Sequence, residues 1–117
     1  MLLIAVMVLA SETGTDPAPY PPDPPCAEST TLGMVTCMEK LTPVWDARLD
    51  LEYDAALKRV SPRAQPALRR AQQQWIKFRD ANCEVYSLHE GSVAQLWSVG
   101  CPLEMTKKRT LELRDMD

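Results

Sequence analysis

Downstream of Cys26, apolar residues recur at steps of three and four for almost the whole chain. Leu68, Ala71, Trp75, Phe78 and Asn82 form one such series, with Gln73, Gln74, Lys77 and Asp80 between them. That is the spacing of one helical face, and it predicts an amphipathic helix running to about His89 with two large aromatics at its centre. An earlier series, Leu32, Val35, Met38, Leu41, Trp45, Leu49, Tyr53, Ala56 and Val60, predicts a longer helix, with Ser29, Thr30 and Thr31 offering N-cap oxygens. Pro43 interrupts it, so a kink is expected there, or a restart with Thr42 as N-cap; the apolar register continues past it, so both halves face one core. Ser61-Pro62 and Gln65-Pro66 mark the first turn, and Glu90-Gly91-Ser92 is a stop signal for the second helix. Val93, Leu96, Trp97 and Val99 predict a short apolar turn or helix before Gly100-Cys101-Pro102. A last helix carries Leu103, Thr106, Thr110 and Leu113 on one side and cations near its C-terminal half. No strand-like alternation occurs. The expected fold is all-α: an antiparallel helical hairpin with a third, C-terminal helix across it, cored on Trp45, Leu49, Trp75 and Phe78.

The N-terminal quarter does not share this pattern. Residues 1–10 are an uncharged apolar run, far short of the roughly 20 residues that span a bilayer, and resemble a signal-peptide core ending in small residues at Val8 and Ala10. Residues 11–25 contain Pro17, Pro19, Pro21, Pro22, Pro24 and Pro25, which predict an extended, solvated spacer. The helical domain is therefore placed at 26–117. With 117 residues, 45% hydrophobic and 25% charged, the chain has the composition of one domain with one small core.

Cys26, Cys37, Cys83 and Cys101 are an even set in a short chain, which reads as two disulfides in an oxidising compartment, periplasmic or secreted. Three pairings are possible; the local one, Cys26 with Cys37 and Cys83 with Cys101, is the expected one. No close Cys pair or His pair suggests a metal, and no cofactor motif is present.

Charge is unevenly placed. The acids Glu12, Asp16 and Asp23 of the spacer account for the formal net charge of −3, so residues 26–117 are balanced. Within them Glu39, Asp46, Asp50, Glu52 and Asp54 cluster on helix one, whereas residues 58–79 are basic with no acid, including Arg63, Arg69 and Arg70. These stretches are expected to pair across the hairpin; an unpaired basic band would instead suit an anionic envelope polymer. Nucleic acid is not an expected partner, because the domain is neutral and its aromatics fall on the core face.

His89, Glu90 and Ser92 carry catalytic residue types, yet neighbours at a helix end do not reach one another as a nucleophile, base and orienting acid must, so no catalytic residue is assigned. His89, Glu90, Gly91 and Ser92 are more credible as a projecting contact loop that a Cys83–Cys101 bridge would stiffen. Arg79 and Asp80, adjacent on a helix, are not expected to face each other; Asp50 and Tyr53 are the expected neighbours of the Arg79 guanidinium.

The order Cys26, Cys37, Leu49-Asp50-Leu51-Glu52-Tyr53, the block Gln72-Gln73-Gln74-Trp75-Ile76-Lys77-Phe78-Arg79-Asp80-Ala81-Asn82-Cys83, then Gly91-Ser92, Cys101 and Thr106 to Leu113, resembles the lysozyme inhibitor LprI-like N-terminal domain family over about residues 26–113. The resemblance implies a small helical domain exposed in the bacterial envelope, not an enzyme, with lysozyme as a protein partner. Animal-type lysozymes are basic with an acidic cleft, so such an inhibitor is expected to offer carboxylates to the basic surface and the His89 to Ser92 tip to the cleft.

Overall fold

The computed structural model describes residues 26–117, so the signal-like segment and the proline-rich spacer lie outside the described residues. Three helices follow: α1 (Thr31–Arg59), α2 (Gln65–Ser87) and α3 (Ser92–Arg114). Thr30 caps α1, its side chain accepting from the Gly33 amide at 3.0 Å. Ala64 precedes α2, and Pro66 stands in its first turn, where a missing amide costs nothing.

Of the two alternatives at Pro43 the restart falls away and the continuous helix remains, whereas the boundary expected before Pro102 is corrected. α1 runs unbroken through Pro43, so Thr42 is not an N-cap; its hydroxyl instead donates to the Met38 carbonyl at 3.0 Å. α3 likewise runs through Gly100, Cys101 and Pro102, fusing the expected short turn and last helix into one element. In each case the chain on both sides of the proline is packed, and that packing outweighs the single lost hydrogen bond.

The chain runs up, down and up. α3 packs chiefly along α1, in parallel, and also against α2, while α1 and α2 touch little. Contacts in register show the directions: the Met38 sulfur lies 3.5 Å from where a Cβ on Gly100 would stand, Lys107 stands over the Trp45 ring, and Arg59 reaches the end of α3. Against α2 the order reverses, from Gln72 with Arg109 to Cys83 with Cys101. Leu49, Ala56, Val60, Leu68 and Leu113 bring all three helices together in the core, with Trp75 and Tyr53 packed at its edge.

Trp45 and Leu49 are buried as expected and Trp75 is half-buried, but Phe78 is 60% exposed. The inward stripe of α2 is Leu68, Gln72, Trp75, Arg79 and Cys83, which excludes Ala71 and Phe78. Two polar residues turn inward because α3 supplies partners: Arg109 Nε donates to Gln72 Oε1 at 3.0 Å, and Arg79 Nη1 donates to Thr106 Oγ1 at 3.3 Å. The Arg79 guanidinium also lies 5.2 Å from the centre of the Trp75 ring.

Arg59 closes the C-terminus of α3. Its Nη2 donates to the carbonyls of Leu113 at 2.6 Å and Arg114 at 3.1 Å, and its Nε donates to that of Met116 at 3.0 Å. A cation thus meets carbonyls that have no intrahelical donor, at the negative end of the helix dipole. Arg59→Ala is expected to destabilise the fold by about 1.5 kcal/mol, the scale of charge-assisted hydrogen bonds that are partly exposed. Urea unfolding checks this, and a change below about 0.5 kcal/mol, the level of an ordinary surface substitution, would reduce Arg59 to one.

Candidate functional site

Both disulfides form in the local pairing, Cys26–Cys37 and Cys83–Cys101. The second joins the last turns of α2 to α3 just below the turn that links them. His89, Glu90, Gly91 and Ser92 lie in that turn, all exposed, with Ser92 opening α3. Gly91 has φ +92°, with open space where a Cβ would stand, so its backbone angle is what calls for glycine there. The turn is held by short-range bonds, from the Leu88 amide to the Glu84 carbonyl at 3.2 Å and from the Ala94 amide to the Gly91 carbonyl at 3.2 Å.

An aromatic cluster buttresses the tip. The His89 and Tyr86 rings both meet Trp97 edge-on, with centroids at 5.6 and 6.0 Å. His89 is therefore engaged with an indole. Beneath it an open groove of about 500 Å³ is walled by Tyr86, Leu96 and Trp97 and rimmed by Asn82, Glu104 and Lys108. Around the tip Val85, Leu88, Val93 and Trp97 are all exposed, Leu88 to 76%. Sequence periodicity missed this surface because it assigned Val93 and Trp97 to an apolar turn. Leu88 and Val93 flanking a polar tetrapeptide were the available signal.

The basic residues divide. Arg59 and Arg79 are used inside the fold, whereas Arg63, in the α1–α2 turn, and Arg69 and Arg70, on α2, are exposed and form no ion pair among the described residues. They lie toward the opposite end of the bundle from the tip. The expected pairing across the hairpin is replaced by pairs within helices, such as Arg48–Glu52 at 3.4 Å and Arg109–Glu112 at 3.1 Å. Arg79 bonds Asp80 at 3.0 Å despite their adjacency, because the long side chain folds back, and it reaches Thr106 rather than Asp50 or Tyr53. Asp46 is the α1 acid whose ionisation Arg79 favours, yet partial burial still raises its pKa, and Asp50 adds to the rise.

The described residues thus form a three-helix, two-disulfide domain whose α2–α3 turn carries an exposed apolar surround. The chain belongs to the Lysozyme inhibitor LprI family, whose model matches residues 24–113. It is also 36% identical over 70 residues to an uncharacterized protein of Rhizobium meliloti (strain 1021), an alignment covering 58% of this chain and 45% of that protein. The chain thus spans less than half the length of this relative. No solved structure gives a significant match. None of the described helices is long and apolar enough to cross a membrane.

Proposed function

We propose that this chain is an exported inhibitor of a lysozyme-type muramidase, acting by protein–protein contact through the α2–α3 tip. The observation that supports this reading is the tip itself. Four exposed apolar side chains surround His89 to Ser92, above a disulfide that reduces the ordering cost of binding. Exposed apolar residues clustered at one end of a small domain mark a contact surface, and an aromatic such as Trp97 is the residue type that anchors one. The family to which the chain belongs names the partner class. Its two disulfides suit an oxidising compartment, periplasmic or extracellular.

The test is titration of the oxidised full chain against a basic animal-type lysozyme with bacterial cell walls as substrate. Stoichiometric loss of lysis is expected. Glu90→Ala/Ser92→Ala should weaken inhibition about tenfold and Trp97→Ala about thirtyfold, the range of contact and anchor residues, with unchanged helicity. Full inhibition by both variants would remove the tip from the contact. A second reading is favoured by the unpaired Arg63, Arg69 and Arg70, a basic band suited to an anionic envelope polymer. Under it, neutralising these three would abolish retention on such a polymer, and tip variants would have no effect.

A further inference from the structure

Three sulfur atoms meet where the Cys83–Cys101 bridge joins α2 to α3. Met105 Sδ lies 3.7 Å from Cys83 Sγ. The Asn82 side-chain amide donates to Met105 Sδ at 3.4 Å and to Cys101 Sγ at 3.8 Å, and among the described residues that side chain has no oxygen or nitrogen partner. Sulfur is a weak acceptor, so a half-buried donor is held here by the poorest acceptors a protein offers. Asn82, Cys101 and Met105 all line the open groove beneath the tip. Met105 is half-buried and stands outside the core cluster. Met34, Met38 and Met116 do not line that groove; the Met38 sulfur lies against Gly100 of α3, and Met116 packs against the core.

We propose that Met105 is a site of oxidative modification by peroxides, and that Asn82 holds the product. Hydrogen peroxide transfers one oxygen atom to the thioether: a sulfur lone pair forms the S–O bond, the O–O bond breaks, and the remainder leaves as water. The sulfur is oxidised to a sulfoxide and the peroxide is reduced. The open groove gives the reagent access and the new oxygen room. A sulfoxide oxygen is a stronger acceptor than a thioether, and the flexible methionine side chain turns it toward the Asn82 amide already aimed at its sulfur. Inside a core the added polarity is disruptive. At Met105 it supplies an acceptor that Asn82 lacks, and it makes the groove polar beside Tyr86 and Trp97. Any effect on contact at the tip rests on the inhibitor reading, whereas the modification itself does not.

The test treats the disulfide-intact, 15N-labelled full chain with hydrogen peroxide and locates methionine sulfoxide by peptide mass spectrometry. Met105 is expected to gain oxygen about fivefold faster than Met34, Met38 or Met116, because susceptibility follows access to the sulfur. By NMR of the same sample, the Asn82 side-chain amide protons should move downfield. Met105→Leu should abolish that movement while the other methionines still oxidise. Asn82→Leu separates holding of the product from mere access. Oxidation should leave the urea midpoint of the unsubstituted chain nearly unchanged and lower that of Asn82→Leu by about 0.5 M, the scale of one hydrogen bond. Met105 oxidising no faster than the other three, or an Asn82 amide unmoved by its oxidation, would overturn the proposal. So would equal midpoint shifts with and without Asn82; should Asn82→Leu not fold, the amide shift in the unsubstituted chain decides. Lytic activity is not the readout, so failure here is separate from failure of the tip.

Discussion

Leu113→Ala is expected to destabilise the domain by about 3–4 kcal/mol, within the range for emptying a buried leucine site. Leu113 is 0% exposed and is the α3 member of the cluster that also holds Leu49, Ala56 and Val60 from α1 and Leu68 from α2. Neighbours do not readily fill the vacated space, because they are held on two other helices, α1 and α2, which have little direct contact to draw them together. The cost is therefore placed toward the upper part of the range. A domain of this size has a net stability of about 5–15 kcal/mol, so the variant should unfold at markedly lower urea with a similar slope. The neighbouring exposed Leu111 serves as the control, since Leu111→Ala should cost well under about 1 kcal/mol. Equal effects at the two positions would mean that α3 is not seated as described.

Removing the Cys83–Cys101 bridge by a double change to alanine should cost about 3 kcal/mol, the chain-entropy value for an 18-residue loop. For a domain of this size that corresponds to a melting midpoint lower by roughly 12–20 °C. The consequence reaches beyond stability. The bridge ties the last turns of α2 covalently to the N-terminal half of α3, and the turn above it is held besides by short-range hydrogen bonds and the ring contacts of Trp97. Loosening it should raise amide exchange from Leu88 to Ala94 before the helical signal falls, and weaken binding at the tip in step. If calorimetry finds a loss below about 1 kcal/mol, packing rather than the bridge holds the tip, contrary to the chain-entropy account.

Much of the fold was legible in the sequence. Stepwise apolar spacing, the Thr30 cap, Pro66 in a first turn and Gly91 before Ser92 are local signals, and local physics is enough to read them. The same holds for an even cysteine set, which implies bridges whatever the helices do. The tip was legible only as a tetrapeptide. Its apolar surround was not, because an exposed valine or tryptophan looks identical in sequence to a buried one until it is known which face the partner helix covers.

What the sequence by itself determined is therefore an all-α chain with three helical segments, its turns and its oxidised cysteines. The tertiary structure alone decided three things. It carried α1 and α3 through Pro43 and Pro102, because packing on both sides outweighs one missing hydrogen bond. It rotated α2 so that Gln72 and Arg79 face inward and Phe78 outward, because Arg109 and Thr106 on α3 satisfy the polar groups. It also divided the basic residues into those consumed by the fold and those left at the surface. Each of these depends on a partner distant in sequence, and periodicity registers a side chain's polarity without registering what stands opposite it.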